Sequence, residues 1–185
     1  MKKVAIFGNA GAGKSTLARR LAALTRLPLY PLDLICFRAG GGEVPPEDYA
    51  RAHDAILACD EWIIEGYGSP DTLWERIAVA DTLIYIDLPL PIHYAWVIKR
   101  LAKGLFANPE GWPANSPIWR GSLSSLRVIR LCHRHLTPKY RAHVAAAGRG
   151  PNGKRVHHLK SAAQIAALLQ AVERETRVPD ASASR

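Results

Sequence analysis

The chain has 185 residues, 48% of them apolar and 22% charged, which fits one globular domain and excludes extended disorder, collagen-like repeats and low-complexity classes. Cys36, Cys59 and Cys132 lie far apart without C-x-x-C spacing, so neither a disulfide framework nor a zinc site is indicated and a reducing cytoplasm is expected. The net charge of +9 is unevenly spread: residues 1–29 carry six basic residues and no acid, 30–98 three basic and twelve acidic, and 99–155 twelve basic and only Glu110, a segregation that points to a polyphosphate site or a nucleic-acid surface.

Met1-Lys2-Lys3 precedes four apolar residues, too few for a signal peptide, so the mature protein is expected to start here. Lys3 to Phe7 is an apolar run ending in glycine and predicts a buried strand. Leu17, Leu21 and Leu24 then recur at helical spacing within Lys14 to Leu24, before Pro28 stops continuation. Leu27 to Leu32 reads as a second strand, Arg38 to Pro46 as a Gly/Pro-rich loop, and a helix opens near Pro46-Glu47-Asp48. Glu61 to Glu65 and Thr82 to Asp87 read as buried strands. The longest apolar region, Ile77 to Ile98, is interrupted by Asp81, Asp87, Pro89 and Pro91, which argues against a membrane span.

A helix is predicted from about Pro89 to Lys103, then an irregular stretch to Gly121, then helical periodicity from Ser122 that Pro138 must break or kink. Arg155 to Leu159 reads as a last strand and Ser161 to Glu173 as a last helix with Ser161 as N-cap. Residues 175–185 form a tail without apolar periodicity, expected to be disordered. The domain therefore occupies residues 1–174. Strands alternating with helices imply an α/β fold, a parallel sheet covered on both faces.

Gly8-Asn9-Ala10-Gly11-Ala12-Gly13-Lys14-Ser15 fits G-x-x-x-x-G-K-[ST] between a strand and a helix, where the phosphate-binding loop requires it. Successive backbone N–H groups, continued through Thr16 at the helix N-terminus, surround an anion. Lys14 adds a point charge for the β- and γ-phosphates, and the Ser15 hydroxyl is a hard ligand for Mg²⁺. Glu65 and Asp87 each end a strand and are alternative carboxylates for that ion, directly or through water, with Glu65 ranked first because Gly66 lets a ligand approach the backbone. Asp33, in the apolar stretch Leu32-Asp33-Leu34-Ile35, either orients or deprotonates an acceptor hydroxyl or caps the next helical turn.

Residues 104–121 combine three X-Pro dipeptides with Phe106, Trp112 and Trp119, flanked by Arg100, Lys103 and Arg120. A lid closing over nucleotide is expected there. Arg120, Arg127 and Arg134 recur every seven residues and share one helix face; Arg120 and Arg127 are the candidates for phosphate contact, Arg120 as the arginine that stabilises transferring charge. His133 and His135 lack a matching ligand set and are read as surface residues.

Together these motifs resemble the adenylate-kinase-like P-loop kinases, and more closely the topology modulation proteins related to adenylate kinase, over most of residues 1–172. Beyond the loop, the likeness rests on Pro31-Leu32-Asp33-Leu34, Trp62-Ile63-Ile64-Glu65-Gly66, Thr72-Leu73 with Arg76, Ala80-Asp81, Ile86-Asp87-Leu88-Pro89, and Trp96 with Lys99-Arg100. The resemblance implies a five-stranded parallel sheet of the nucleoside-monophosphate-kinase type, nucleotide on the loop, an acceptor side near Asp33 and a small basic lid. Two departures stand out. Glu65-Gly66 replaces the family's Asp-Gly, and Ser69 stands where adenylate kinases place the arginine that grips the AMP phosphate, which leaves Arg38, Arg76 or a lid arginine to bind an acceptor phosphate. The sequence thus predicts an ATP- and Mg²⁺-dependent phosphotransferase for a small acceptor, a nucleotide or a hydroxylated metabolite. The rival reading is a nucleic-acid-binding or regulatory NTPase using the basic stretch from Lys99 to Arg155, and nothing in the sequence fixes an oligomeric state.

Overall fold

The computed structural model describes residues 1–38, 42–104, 118–148 and 153–177. Five strands, β1 (Lys3–Gly8), β2 (Leu29–Pro31), β3 (Trp62–Glu65), β4 (Thr82–Ile86) and β5 (Arg155–Leu159), form one parallel sheet in the order β2-β3-β1-β4-β5. The register sets Ile6 beside both Glu65 and Ile84. The carboxyl ends of β3 and β4 therefore flank that of β1, the strand from which the chain crosses first to one side of the sheet and later to the other.

Strand alternation divides the core into two layers. Val4, Ile6, Ile63, Ile84 and Ile86 face α1 (Lys14–Thr25) and α8 (Ala162–Arg177) through Leu17, Leu21, Leu168, Leu169 and Val172. Ala5, Phe7, Trp62, Ile64, Leu83 and Tyr85 face the opposite layer of α3 (Pro46–Ala58), α4 (Pro70–Val79) and α7 (Thr137–Ala147), through Tyr49, Ile56, Leu73, Ile77, Tyr140 and Val144. Burial on both sides explains why these strands read as unbroken apolar runs. Between them lie α2 (Leu32–Cys36), α5 (Leu90–Gly104) and α6 (Ile118–His135).

Several expected boundaries move. The second strand shrinks to Leu29–Pro31 because the chain turns into α2 at Leu32. Helix α4 was not anticipated; it opens with Pro70 behind a Ser69 cap whose side chain accepts from Thr72 N. Helix α6 starts at Ile118, four residues before the expected Ser122, so Arg120 belongs to a helix; residues 105–117, and with them the lid expected there, lie outside the described residues. Of the two outcomes expected at Pro138 the structure shows the break: α6 ends at His135 and Pro138 lies in the first turn of α7. Ser161 caps α8 as expected, accepting from Gln164 N, but that helix runs on to Arg177, shortening the anticipated tail to 178–185, also outside the described residues. No helix among the described residues is long and apolar enough to cross a membrane.

Candidate nucleotide and acceptor site

The loop from Gly8 to Gly13 joins β1 to α1, and Gly8, Gly11 and Gly13 hold φ of 145°, 67° and 77°. Gly13 is the N-cap of α1 in left-handed conformation, no side chain caps that end, and the first turn holds no acid. The helix's first N–H groups and positive dipole end are thus directed to an anion. The loop is built against α5: a Cβ on Gly13 would lie 2.7 Å from Trp96 Cζ3, and one on Gly11 2.6 Å from the His93 carbonyl oxygen. Buried His93 sets Nδ1 2.9 Å from the Ala10 carbonyl oxygen and Nε2 3.1 Å from that of Leu88, bracing the loop against the start of α5.

Asn9 braces it from the other side. Its Oδ1 accepts from Ala10 N at 2.7 Å while Nδ2 donates to the Ile129 carbonyl oxygen of α6 at 2.8 Å. The loop is thereby tied to the helix that follows the expected lid.

Lys14 Nζ donates to the Asn9 carbonyl oxygen at 2.8 Å. Burial lowers the lysine's pKa, and the negative charges of Glu65 and Asp33 work against that shift. Glu65, only 4% exposed, is pushed the other way: burial raises its carboxyl above the usual carboxylate range, with Asp33 adding to the rise and Lys14 and a hydrogen bond from Ser15 opposing it. Ser15 and Glu65 share a cavity of about 210 Å³ with Arg19, Leu29, Pro31 and Leu34. Asp33 sits half-buried in the first turn of α2, beyond the end of β2. Arg100 of α5 completes the group: burial lowers its pKa, Asp33 opposes this, and its Nη2 donates to Ser125 Oγ of α6 at 2.8 Å.

The expected carboxylates thus separate. Glu65 joins Lys14, Ser15 and Asp33, whereas Asp87 turns to α7 and β5. Its Oδ2 accepts from Arg141 Nε and pairs with His158 Nε2, each at 2.8 Å, and its Oδ1 accepts from Arg141 Nη2 at 3.0 Å. Burial pushes the Asp87 carboxyl up, but the bonds from Arg141 and His158 bring it below the ordinary value. Both Asp87 oxygens are thus engaged by Arg141 and His158, on the side of the sheet edge away from Lys14.

Arg76, named from the sequence as a candidate for the acceptor side, lies in the core. Its side chain is wholly buried, with Nη2 donating to the Gly66 and Tyr67 carbonyl oxygens at 2.7 Å each. It secures the loop between β3 and α4 and has no exposed surface for an acceptor phosphate. Gly66 is likewise required by packing rather than by a ligand: its φ is 113°, and an added Cβ would come within 3.2 Å of Leu32 Cβ. Arg38 is exposed beyond α2, its backbone N–H bonded to the Gly42 carbonyl oxygen. Arg127 and Arg134 are exposed on α6, and the side chain of Arg120 lies outside the described residues.

The structure brings Lys14, Asp33 and Glu65, each named from the sequence, into one electrostatic group, while Arg100 is read from the sequence only as a lid flank and Asn9 has no side-chain role there. For Arg100 the signal was available, since Trp96 and Lys99-Arg100 stood among the shared motifs. Asn9 and Arg141 carried none, because their partners lie 120 and 54 residues away.

No family model matches this sequence, and no curated protein is similar to it at a meaningful level. Solved structures do resemble the fold. Shikimate kinase from Acinetobacter baumannii, in complex with shikimate, is similar at a TM-score of 0.56 with 15% identity, over 95% of this chain and 92% of that one. Shikimate kinase from Bacteroides thetaiotaomicron is similar at 0.52 with 12% identity, over 95% and 98%. The chain therefore has the five-stranded P-loop NTPase fold of the shikimate-kinase type.

Proposed function

We propose that this chain is an ATP-dependent kinase, a phosphotransferase that moves the γ-phosphoryl group of Mg·ATP to the hydroxyl of a small acceptor. The observation that carries the reading is the convergence of Lys14, Ser15, Asp33 and Glu65 beside an uncapped helix N-terminus at the carboxyl edge of the sheet. The donor set fits the groups implied. The glycine-lined loop leaves no side chain between phosphate and backbone, and the Ser15 hydroxyl with the Glu65 carboxylate provides the hard oxygen ligands that Mg²⁺ takes directly or through water. When bound, Mg·ATP supplies the phosphoryl group and the divalent charge that offsets its oxygens.

The chain's residues do the positioning. The loop amides and Lys14 hold the phosphate oxygens, and that anion restores the lysine charge which burial disfavours. Asp33 accepts a hydrogen bond from the acceptor hydroxyl and aims it in line with the phosphoryl group. Arg100 faces Asp33 from α5 and lends positive charge to the same space. The nearer likeness to topology modulation proteins enters at the same level: it suggests an acceptor side at Asp33 and leaves open whether the acceptor is a nucleotide, while the three dispersed cysteines suggest a reducing cytoplasm. With Ser69 in the AMP-gripping position and Arg76 committed to its loop, hydroxylated metabolites gain weight as acceptors.

The test is an ADP-release assay across nucleoside monophosphates, nucleosides, sugar acids and shikimate-like hydroxy acids. One class should raise turnover above background hydrolysis, Lys14→Met should lower it about 10²- to 10³-fold, and Asp33→Asn should lower transfer about 10²- to 10⁴-fold while sparing ATP binding. If no acceptor stimulates ADP release, or if both variants keep full turnover, the reading fails. The second reading, a nucleic-acid-linked NTPase, draws on the exposed Arg127, Arg130 and Arg134 of α6 and on the bond between that helix and Asn9. ATP-modulated DNA binding would favour it.

A further inference from the structure

Away from the phosphate loop, α3 and α4 hold a cluster that phosphoryl transfer does not use. His53 of α3 has no solvent exposure, and neither of its ring nitrogens has a hydrogen-bond partner among the described residues. Its Nδ1 points to two carboxylates, 3.8 Å from Glu75 Oε2 of α4 and 3.9 Å from Asp54 Oδ1 of its own helix. The three atoms lie within 4.8 Å of one another.

We propose that His53, Asp54 and Glu75 bind one divalent transition-metal ion of the zinc class, with water completing its coordination. Tetrahedral bonds of about 2.0–2.1 Å place ligand atoms about 3.3–3.4 Å apart. The two gaps from His53 exceed that by roughly half an ångström, which exposed carboxylates close by turning about χ angles while the buried ring stays fixed.

A neutral imidazole carries one lone pair and one N–H. An ion on Nδ1 takes the lone pair and leaves the proton on Nε2, so one of two orphaned buried nitrogens acquires a partner. A neutral ring and two carboxylates balance a doubly charged ion. The imidazole nitrogen selects zinc-class ions over Mg²⁺ or Ca²⁺, which prefer all-oxygen sites.

Position gives the ion its use. His53 lies one turn beyond Tyr49 on α3, and Glu75 one turn beyond Thr72 on α4; the Tyr49 and Thr72 hydroxyls already bond at 2.9 Å. The ion adds a second tie between the same two helices, near the Gly66 to Ser69 loop. This inference stands whatever the chain phosphorylates.

The experiment is isothermal titration of the EDTA-stripped, dialysed full chain with ZnCl₂ at neutral pH, accompanied by thermal melts. One equivalent should bind, and at a hundredfold excess over Kd the Tm should rise by roughly 5–10 °C. Asp54→Asn/Glu75→Gln alters exposed side chains only, so it should fold normally by circular dichroism, bind Zn²⁺ at least tenfold more weakly and lose the shift. His53→Gln should do the same where it folds, and millimolar Mg²⁺ should not replace Zn²⁺. Wild-type binding weaker than about 100 µM, or one isotherm shared by the wild type and the double variant, overturns the proposal and leaves His53 a buried ring beside two surface acids.

Discussion

Gly13→Ala tests the loop geometry most directly, because two separable costs meet at one atom. Gly13 holds φ of 77°, and moving an alanine into the left-handed region costs about 1–2 kcal/mol. The new methyl would lie 2.7 Å from Trp96 Cζ3, where carbon pairs prefer about 3.5–4.0 Å. Trp96 packs against the cluster that includes Leu17, Ile86 and Leu88, so it cannot swing away without opening that core, and overpacking of this kind costs about 1–3 kcal/mol. The variant should lose about 2–5 kcal/mol of unfolding free energy in urea. Its affinity for ATP should fall as well, since relief of either cost moves the α1 N–H groups. Trp96→Ala separates the two contributions. In the double variant the clash is gone and the φ cost remains, so a double-mutant cycle should show a favourable coupling of about 1–3 kcal/mol. Additive losses, or a Gly13→Ala protein within 0.5 kcal/mol of wild type (roughly the scatter of an innocuous surface change) with unaltered ATP affinity, would refute this account of the loop.

Asp87→Asn should cost about 1–3 kcal/mol, less than the loss of a fully buried ion pair, because water can take up the half-exposed Arg141. Since the folded Asp87 carboxyl titrates below its unfolded value of about 3.9, its contribution is complete above that pH and fades as pH falls through the lower folded value; urea melts of wild type and variant should converge only in acid. Asn9→Ala should cost about 1–3 kcal/mol by leaving the Ala10 N–H and one lone pair of Ile129 unpaired, and faster hydrogen exchange in α6 would show that the loop holds that helix. DNA binding by the exposed α6 arginines should be weak, indifferent to ATP and nearly lost between roughly 50 and 200 mM salt in a fluorescence titration; tight binding at physiological salt would promote the second functional reading.

The elements legible in the sequence were those whose pattern is local and whose burial is two-sided. Strands β1, β3 and β4 match within a residue because a run such as Leu83-Ile84-Tyr85-Ile86 fills both core layers; the edge strand β5, with only Leu159 buried, matches on its Val156 to Leu159 pattern alone. Helix α4 escaped because Arg76 stands on its buried face between Leu73 and Ile77, and only the fold reveals that the Arg76 guanidinium is buried under the preceding loop. The start of α6 was misplaced for a related reason. Gly121 and the serines after it look like loop, yet the backbone is helical from Ile118 onward in a helix that packs on α5.

The candidate site divides along the same line. The phosphate loop was readable because its function rests on backbone conformation, and glycines at fixed spacing record that conformation in the sequence. The carboxylates could not be sorted in this way: Glu65 and Asp87 both end a strand beside β1, and nothing within a few residues of either tells them apart. What separates them is Arg141, supplied 54 residues later by a helix on one face of the sheet. Burial costs both carboxylates. Asp87 meets that cost with a bidentate arginine and titrates low, whereas Glu65 faces one lysine and one hydroxyl and titrates high. A carboxylate left under-compensated beside a half-buried lysine gains a great deal when an ion and a polyphosphate arrive together, and this difference, rather than its place at the end of a strand, is the ground on which the proposed function prefers Glu65.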